Sequence, residues 1–200
     1  MSLIAKDNSE SKFAKLPLPE AGTTQAVCCA VWDLGLQKTS YKGEEKIQHK
    51  IMIAWEIAQL IEAPESEYNG KPYMLKKKYT LSLGDKANLR KDLESWRGLP
   101  FTEAEIRGGF DIEKLYGANC LLGIKHEAAH DDATKIYANV TAILPLQKGT
   151  EKIKPIRARN EEPPKWVKDI QAQAVQPTDF GDDFPGFDGA PELYTEDTHL

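Results

Sequence analysis

The run KIQHKIMIAWEIAQL, residues 46–60, sets Ile47, Ile51, Ile53, Trp55 and Ile57 all at odd positions. Side chains that recur every second residue lie on one face of a β-strand, so this alternation predicts a half-buried strand. Upstream, TQAVCCAVWDL (24–34) is rich in Val, Cys and Trp and free of breakers, and reads as a strand apolar on both faces. QKTSYKGEE (37–45), between the two, reads as a polar loop. Downstream, EAPESEYNGKP (62–72) carries the turn pair Asn69–Gly70, and YMLKKKYTLSL (73–83) alternates again. Tyr73, Leu75, Tyr79, Leu81 and Leu83 take one face, and Lys76, Lys78, Thr80 and Ser82 take the other. Lys77 interrupts the apolar face.

Helical spacing follows. Asp85 is placed to cap DKANLRKDLESWRG (85–98), with Leu89, Leu93 and Trp96 on one face and Gly98 as the stop. Thr102 and Glu105 form a capping-box pattern for a second short helix, TEAEIRG. Asp111 opens a third turn, DIEKLYG, closed by Gly117. Strands resume at Asn119–His126 and Thr134–Leu146, with EAAHDDA as the turn between them. Three strands, a helical connection and two strands are the order of a five-stranded OB-fold barrel, a mainly β architecture. The helical insertion between strands 3 and 4 would plug the open end of the barrel.

The 200 residues divide by charge. Residues 1–159 hold 24 Lys and Arg against 21 Asp and Glu, a balance of +3; residues 160–200 hold 2 against 10, a balance of −8. No Lys or Arg follows Lys168, and the chain there is rich in Asp, Gly and Pro, so a disordered acidic C-terminal tail is expected from about Gln171. The expected organisation is a flexible arm at 1–21, one folded domain at 22–157, and a linker with the tail at 158–200. No apolar run reaches about 18 residues, which excludes a membrane-spanning helix. MSLIAKDNSESKFAK at the start lacks a secretory apolar region, so a cytoplasmic location is expected. Cys28, Cys29 and Cys120 sit in apolar runs and read as buried free thiols.

Two motifs carry less than they suggest. His126-Glu127-Ala128-Ala129-His130 matches the H-E-x-x-H zinc signature, with Glu151 as a conceivable third ligand. That chemistry needs a helix, since only i, i+4 spacing sets both imidazoles on one face. Here the motif lies between two strand-like runs, and a hairpin turn is the better reading. The sequon Asn139-Val140-Thr141 falls inside a predicted strand. No catalytic constellation stands out, and no cofactor or metal is expected.

What remains is a binding signature. Lys38, Lys42, Lys46, Lys50, Lys71, Lys76, Lys77 and Lys78 are interleaved with aromatic residues along the first three strands and their loops. Ammonium groups meet phosphates and flat rings stack on unpaired bases, which is how single-stranded nucleic acid is held. The candidate contacts are Lys38, Tyr41, Lys42, Lys50, Lys71, Lys76 and Lys78, with Lys125, Lys135 and Tyr137 from the last two strands. Trp55, Tyr79 and Trp96 share faces with aliphatic residues and read as core, while Trp32 is undecided. Two other readings stand beside this one. In the first the domain is a protein-interaction adaptor and the basic face is merely solvated. In the second it is a metal enzyme built on His126 and His130.

The block LRKDLESWRGLPFTEAEIRGGFDIEKLYGANCLLGIKHE (89–127), with HKIMIAWEI, KKYTLSL and IYANVTAILPL around it, resembles phage and prophage single-stranded DNA-binding proteins of OB-fold type. The resemblance covers roughly residues 22–147. It implies a non-catalytic protein that coats single-stranded DNA with little base preference during replication, recombination or repair. For a phage gene the location would be the bacterial host cytoplasm. Such proteins end in acidic, aromatic tails that recruit replication or recombination proteins. Phe180, Asp182, Asp183, Phe184 and Phe187 are the matching residues here, although this element is internal, with LYTEDTHL after it. A second copy of the chain, in a homodimer, is a further candidate partner.

Overall fold

A computed structural model describes residues 16–41, 44–129 and 132–175 of the chain. The expectations for residues 1–15, Lys42, His130, the Tyr41 side chain and the tail residues Phe180, Asp182, Asp183, Phe184 and Phe187 lie outside the described residues. The elements run β1 (Gly22–Tyr41), β2 (Glu44–Leu60), β3 (Pro72–Thr80), α1 (Asn88–Arg97), α2 (Glu103–Gly108), a 3₁₀ turn (Ile112–Leu115), β4 (Asn119–Ala128), β5 (Ile136–Pro145) and α3 (Lys165–Gln171). The strands form one five-stranded antiparallel sheet in the order β3-β2-β1-β4-β5.

The fold is mainly β, with a helix after the third strand, as expected. Closure of a barrel is not seen: β3 and β5 approach one another, yet no ladder joins them among the described residues. α1 bridges the two edges instead. Ser95 Oγ donates to the Ile143 carbonyl of β5 at 2.6 Å, and Asp92 accepts from Lys77 Nζ of β3 at 2.7 Å.

β1 is the central strand and reaches further than its apolar run. Residues 37–41 and 44–45, expected as part of a loop, form the outer part of a β1–β2 hairpin, paired from Gln37↔Gln48 to Tyr41↔Glu44. Two bulges bend β1, between Cys28 and Ala30 and between Asp33 and Gly35. At the second, Gly35 takes φ 70, and its N–H donates to Asp33 Oδ1 at 2.7 Å. A bulge inserts one residue and shifts the alternation. Ala26 and Cys28 therefore enter one cluster, while Ala30, Trp32 and Leu34 enter another on the opposite face. That is why the run at 24–34 is apolar on both faces, and it settles the side on which Trp32 lies.

The inner cluster contains Ile51, Ile53, Trp55 and Ile57 of β2, as the odd positions predicted. Ile47 is half-buried and outside it, because the hairpin arm extends beyond the core. Trp55 is fully buried, 5.8 Å from Trp96 between ring centroids, and Trp96 Nε1 donates to the Asn119 carbonyl. Lys77 does point to the inner face. Its ammonium is neutralised by Asp92, which also accepts from the Tyr79 hydroxyl at 2.7 Å. The Tyr79 hydroxyl is held well above its ordinary pKa, first by burial and then by that hydrogen bond.

α1 starts later than expected. Asp85 does not cap it; the cap position is Ala87, without a side-chain hydrogen bond, and Asp85 pairs with Arg90 instead. Gly98 ends the helix at φ 69, where a side chain would be strained. The Thr102–Glu105 capping box is complete, and Asp111 accepts from the Glu113 N–H.

The outer cluster is covered by residues expected to be linker. Cys29, Ala30, Trp32, Leu34, Met52 and Ala54 pack against Val167 of α3, with Trp166 and Ile170 beside it. The approach to α3 is pinned at Asn119, which exchanges hydrogen bonds with Ile153, and at Glu56, whose carboxylate accepts from the Ile156 and Arg157 N–H groups at 2.6 and 3.0 Å. The folded body thus runs through Val175, whose N–H donates to the Leu36 carbonyl. This strap of residues 153–175 removes the other face of β2 from water, so residues 51–57 are buried without interruption.

Trp55→Ala is expected to lower stability by about 3–5 kcal/mol in chemical denaturation. Asp92→Ala should cost about 1–3 kcal/mol, since it strands a lysine and a phenol on the inner face. Lys77→Met combined with Asp92→Leu should recover most of that loss; failure to recover would mean that Asp92 matters for something other than this pair.

Candidate functional site

The strap divides the outer face of the β1–β2–β3 meander in two. Near Trp32 the face is closed. Trp166 meets Trp32 edge-on at 5.4 Å, and Lys76 Nζ stands 3.6 Å from the Trp166 ring centre. Gln37 Nε2 donates to the Ile170 carbonyl, and Gln171 Nε2 to that of Asp33. Ala174 lies so close to Gly35 that a Cβ there would come within 2.9 Å of it.

Beyond the strap the face is open. A groove of about 700 Å³ is lined by Gln48 and Lys50 of β2, Lys78, Tyr79 and Thr80 of β3, and the connection Ser82 to Asn88 that leads into α1. Its floor follows from parity. Gln48 and Lys50 occupy even positions of β2, and Lys78 and Thr80 even positions of β3, with Lys50 opposite Thr80 in the ladder. Lys50 Nζ donates to Gln48 Oε1 at 2.8 Å and Thr80 Oγ1 at 2.7 Å. Burial, and then the neighbouring Lys78, hold its pKa below the ordinary lysine value. Lys50, Lys78 and Lys86 make no ion pair among the described residues, a state they share with Lys38, Lys71, Lys76, Lys91, Lys148, Lys152 and Lys154, while Lys46, Lys77, Lys114, Lys125, Lys135, Lys165 and Lys168 each have a carboxylate. Asp85, also on the groove wall, is taken by Arg90. The first turn of α1 has no side-chain cap and no acidic residue, so the positive end of its dipole faces this rim without compensation.

Of the residues expected at the site, Lys50 and Lys78 come together here. Lys76 does not: its side chain is exposed, but its ammonium is drawn over the Trp166 ring at the strap, and partial desolvation there lowers its pKa. Lys38 is exposed on the hairpin arm, opposite Ile47, and Lys71 lies against the Tyr68 ring in the β2–β3 loop. Lys125, Lys135 and Tyr137 share the β4–β5 hairpin end. Lys125 is paired with Glu127 and Lys135 with Asp132, while the Tyr137 ring is 53% exposed. Along β1, the partner of β4 nearest that end is Gly22, whereas the partner of Lys50 is Gly35. Lys50 and Lys78 thus meet in the groove, Lys125, Lys135 and Tyr137 meet at the far hairpin end, and Lys38, Lys71 and Lys76 each lie apart from both. Gln48, Lys86 and Asn88 are groove residues that the lysine–aromatic pattern did not single out. The even-numbered face of β2 pointed to Gln48; Lys86 and Asn88 reach the groove through a loop path that no periodicity encodes.

The zinc motif fails on geometry. His126 and Glu127 lie on β4, where consecutive side chains face opposite ways, and His126 Nε2 donates to the Pro19 carbonyl at 2.8 Å. The three cysteines are buried, and burial pushes the Cys29 and Cys120 thiols up to about 12, which makes them inert core groups. In a smaller, open cavity of about 360 Å³, between Trp32, Tyr116, Arg157 and Arg159, both arginines have internal partners: Arg157 pairs with Glu161 and the Glu162 carbonyl, Arg159 with Glu113. No family model and no curated protein matches this chain.

The strap's seat is open to test. Trp166→Ala and Gly35→Ala should each speed tryptic cleavage at Lys165 and Lys168 several-fold while the sheet still unfolds in one transition. Unchanged cleavage in both variants would mean that neither contact holds the strap.

Proposed function

We propose that this protein binds single-stranded DNA without catalysis and with little base preference, and that the Lys50–Lys78–Lys86 groove is the binding site. The observation that carries the reading is a groove whose three lysines lack carboxylate partners, on the outer face of β2 and β3, with hydroxyl and amide donors between them. Phosphates supply the missing negative charge, and the released counterions drive binding. The reading is supported by the strand order β3-β2-β1-β4-β5, with a helix at the seam between the edges, the order an OB-type barrel would have if opened between strands 3 and 5. OB-folds bind oligonucleotides on this same face of strands 2 and 3. The resemblance to phage single-strand binders points the same way, toward work in replication, recombination or repair. In this reading Phe180, Asp182, Asp183, Phe184 and Phe187 serve to recruit partner proteins. Among the described residues no helix is long and apolar enough to cross a membrane.

Oligo-dT titration at several salt concentrations tests the site. Lys50→Ala with Lys78→Ala should weaken binding, and the slope of log affinity against log salt should become shallower by roughly 0.7 per lost phosphate contact. An unchanged slope would move the site elsewhere on the sheet.

The strap also fixes where the tail begins. Val175 is bonded to Leu36, the ladder partner of His49, next to Gln48 on the groove wall. An acidic segment tethered there competes intramolecularly for the lysines. Truncation after Gln176 should strengthen binding several-fold at low salt, with the gain fading as salt rises. Equal affinities at low ionic strength would leave the tail without that role.

A further inference from the structure

We infer that the groove holds the sugar–phosphate chain alone and leaves the bases unstacked, so that a phosphodiester strand stripped of its bases is as good a ligand as DNA. This rests on the single-strand reading above and adds which part of the polymer the site grips.

The argument begins with what lines the groove. Lys50, Lys78 and Lys86 offer ammonium groups, Thr80 and Ser82 hydroxyls, and Gln48 and Asn88 amides. An anionic phosphate oxygen can accept from every one of these. A base is read differently, through a ring that stacks on it or through paired donors and acceptors that match its edge. For stacking it offers no open ring among the described residues, and for edge reading only the Asn88 amide at the rim, since the Asp85 carboxylate is paired with Arg90. Tyr79, its one aromatic residue, is 3% exposed and turns its hydroxyl inward to Asp92. The Gln48 carbonyl oxygen, which could accept from a base amino group, already accepts from Lys50, Thr39 and Thr80.

The rings nearest on the same face are engaged elsewhere. Trp166 is held between Lys76 and Trp32, and Trp32 is buried beneath it. Exposed Tyr137 belongs to the β4–β5 hairpin end, and Tyr68 to the β2–β3 loop, where it carries Lys71.

The lysine geometry suits a chain of phosphates. Lys50 faces Thr80 and Lys78 faces Met52 across the β2–β3 ladder, so Lys50 and Lys78 are diagonal neighbours. Such neighbours are about 7–8 Å apart at their backbones, comparable to the separation of successive phosphates on an extended strand. Two lysines rooted at that spacing, neither in an ion pair among the described residues, repel one another until anions arrive at a similar interval.

The test compares fluorescence anisotropy titrations of the full chain with oligo-dT and with an abasic oligomer of equal length, in which tetrahydrofuran replaces every nucleoside. A ring stacked on even one base would make the abasic oligomer at least about fivefold weaker. The expected result is affinities within about threefold of each other, with Lys50→Gln and Lys78→Gln together lowering both by the same factor. Lys86→Gln, on an exposed loop where folding is not at risk, should also lower both alike. An abasic oligomer bound more than about threefold more weakly than oligo-dT overturns the inference and leaves the single-strand reading intact. So does a Tyr41→Ala variant that loses oligo-dT affinity but keeps abasic affinity, because a ring at the hairpin tip would then be stacking on bases. Binding of neither oligomer removes the single-strand reading itself and this inference with it.

Discussion

The two bulges in β1 set the plan of the molecule. β1 pairs with β2 along one edge and β4 along the other, so any change in its alternation is felt across the sheet. The first bulge sends Ala26 and Cys28 to one cluster and Ala30 and Trp32 to the opposite one. A strand with two apolar faces needs two covers, and the chain supplies both. α1 closes the inner cluster from the seam between β3 and β5; the strap with α3 closes the outer one. The second bulge, at Asp33 and Gly35, ends the apolar part of β1. From there the hairpin arm is polar, and beside it the sheet face stays open to water.

Much of this was legible where local chemistry and tertiary packing agree. Odd positions of β2 became core, the Thr102–Glu105 box formed, and Gly98 ended its helix because each signal is decided within a few residues. The misreadings come from contacts distant in sequence. KWVKDIQ is a single helical turn or two behind a Pro-Pro pair in an acidic stretch, too short to announce itself. It is helical because Val167 finds a pocket prepared by Met52, Ala54 and Leu34, residues more than a hundred positions away. Residues 37–41 and 44–45 of the expected polar loop are strand for a similar reason: a hairpin already in register on its apolar half carries its polar half along.

The groove shows the same division. Alternation alone puts Lys78, Thr80 and Ser82 on one face of the third strand. It could not reveal that Lys76, two residues earlier on that face, would set its ammonium over the Trp166 ring of the strap. Nor could it reveal that Lys86 and Asn88 would close the far wall. Position along a strand tells which way a side chain points. Which of those side chains remain open to a ligand depends on what the rest of the chain lays over them, and here that is the strap.

Lys77 and Lys78 show how the fold treats charge on its two faces. Lys77 points inward and meets Asp92 and the ring of Tyr79, so its ammonium is neutralised as it leaves water. Lys78, one residue on, points outward beside Lys50, and neither forms an ion pair among the described residues. A solvated lysine without a carboxylate is ordinary, but Lys50 is half-buried, fixed by an amide and a hydroxyl, and repelled by its neighbour. Stability alone would be better served by a carboxylate at Gln48 or Thr80, both within hydrogen-bond reach of that ammonium. Among the described residues the fold places one against Lys77 and none against Lys50, and the one carboxylate on the groove wall, Asp85, is turned to Arg90 instead.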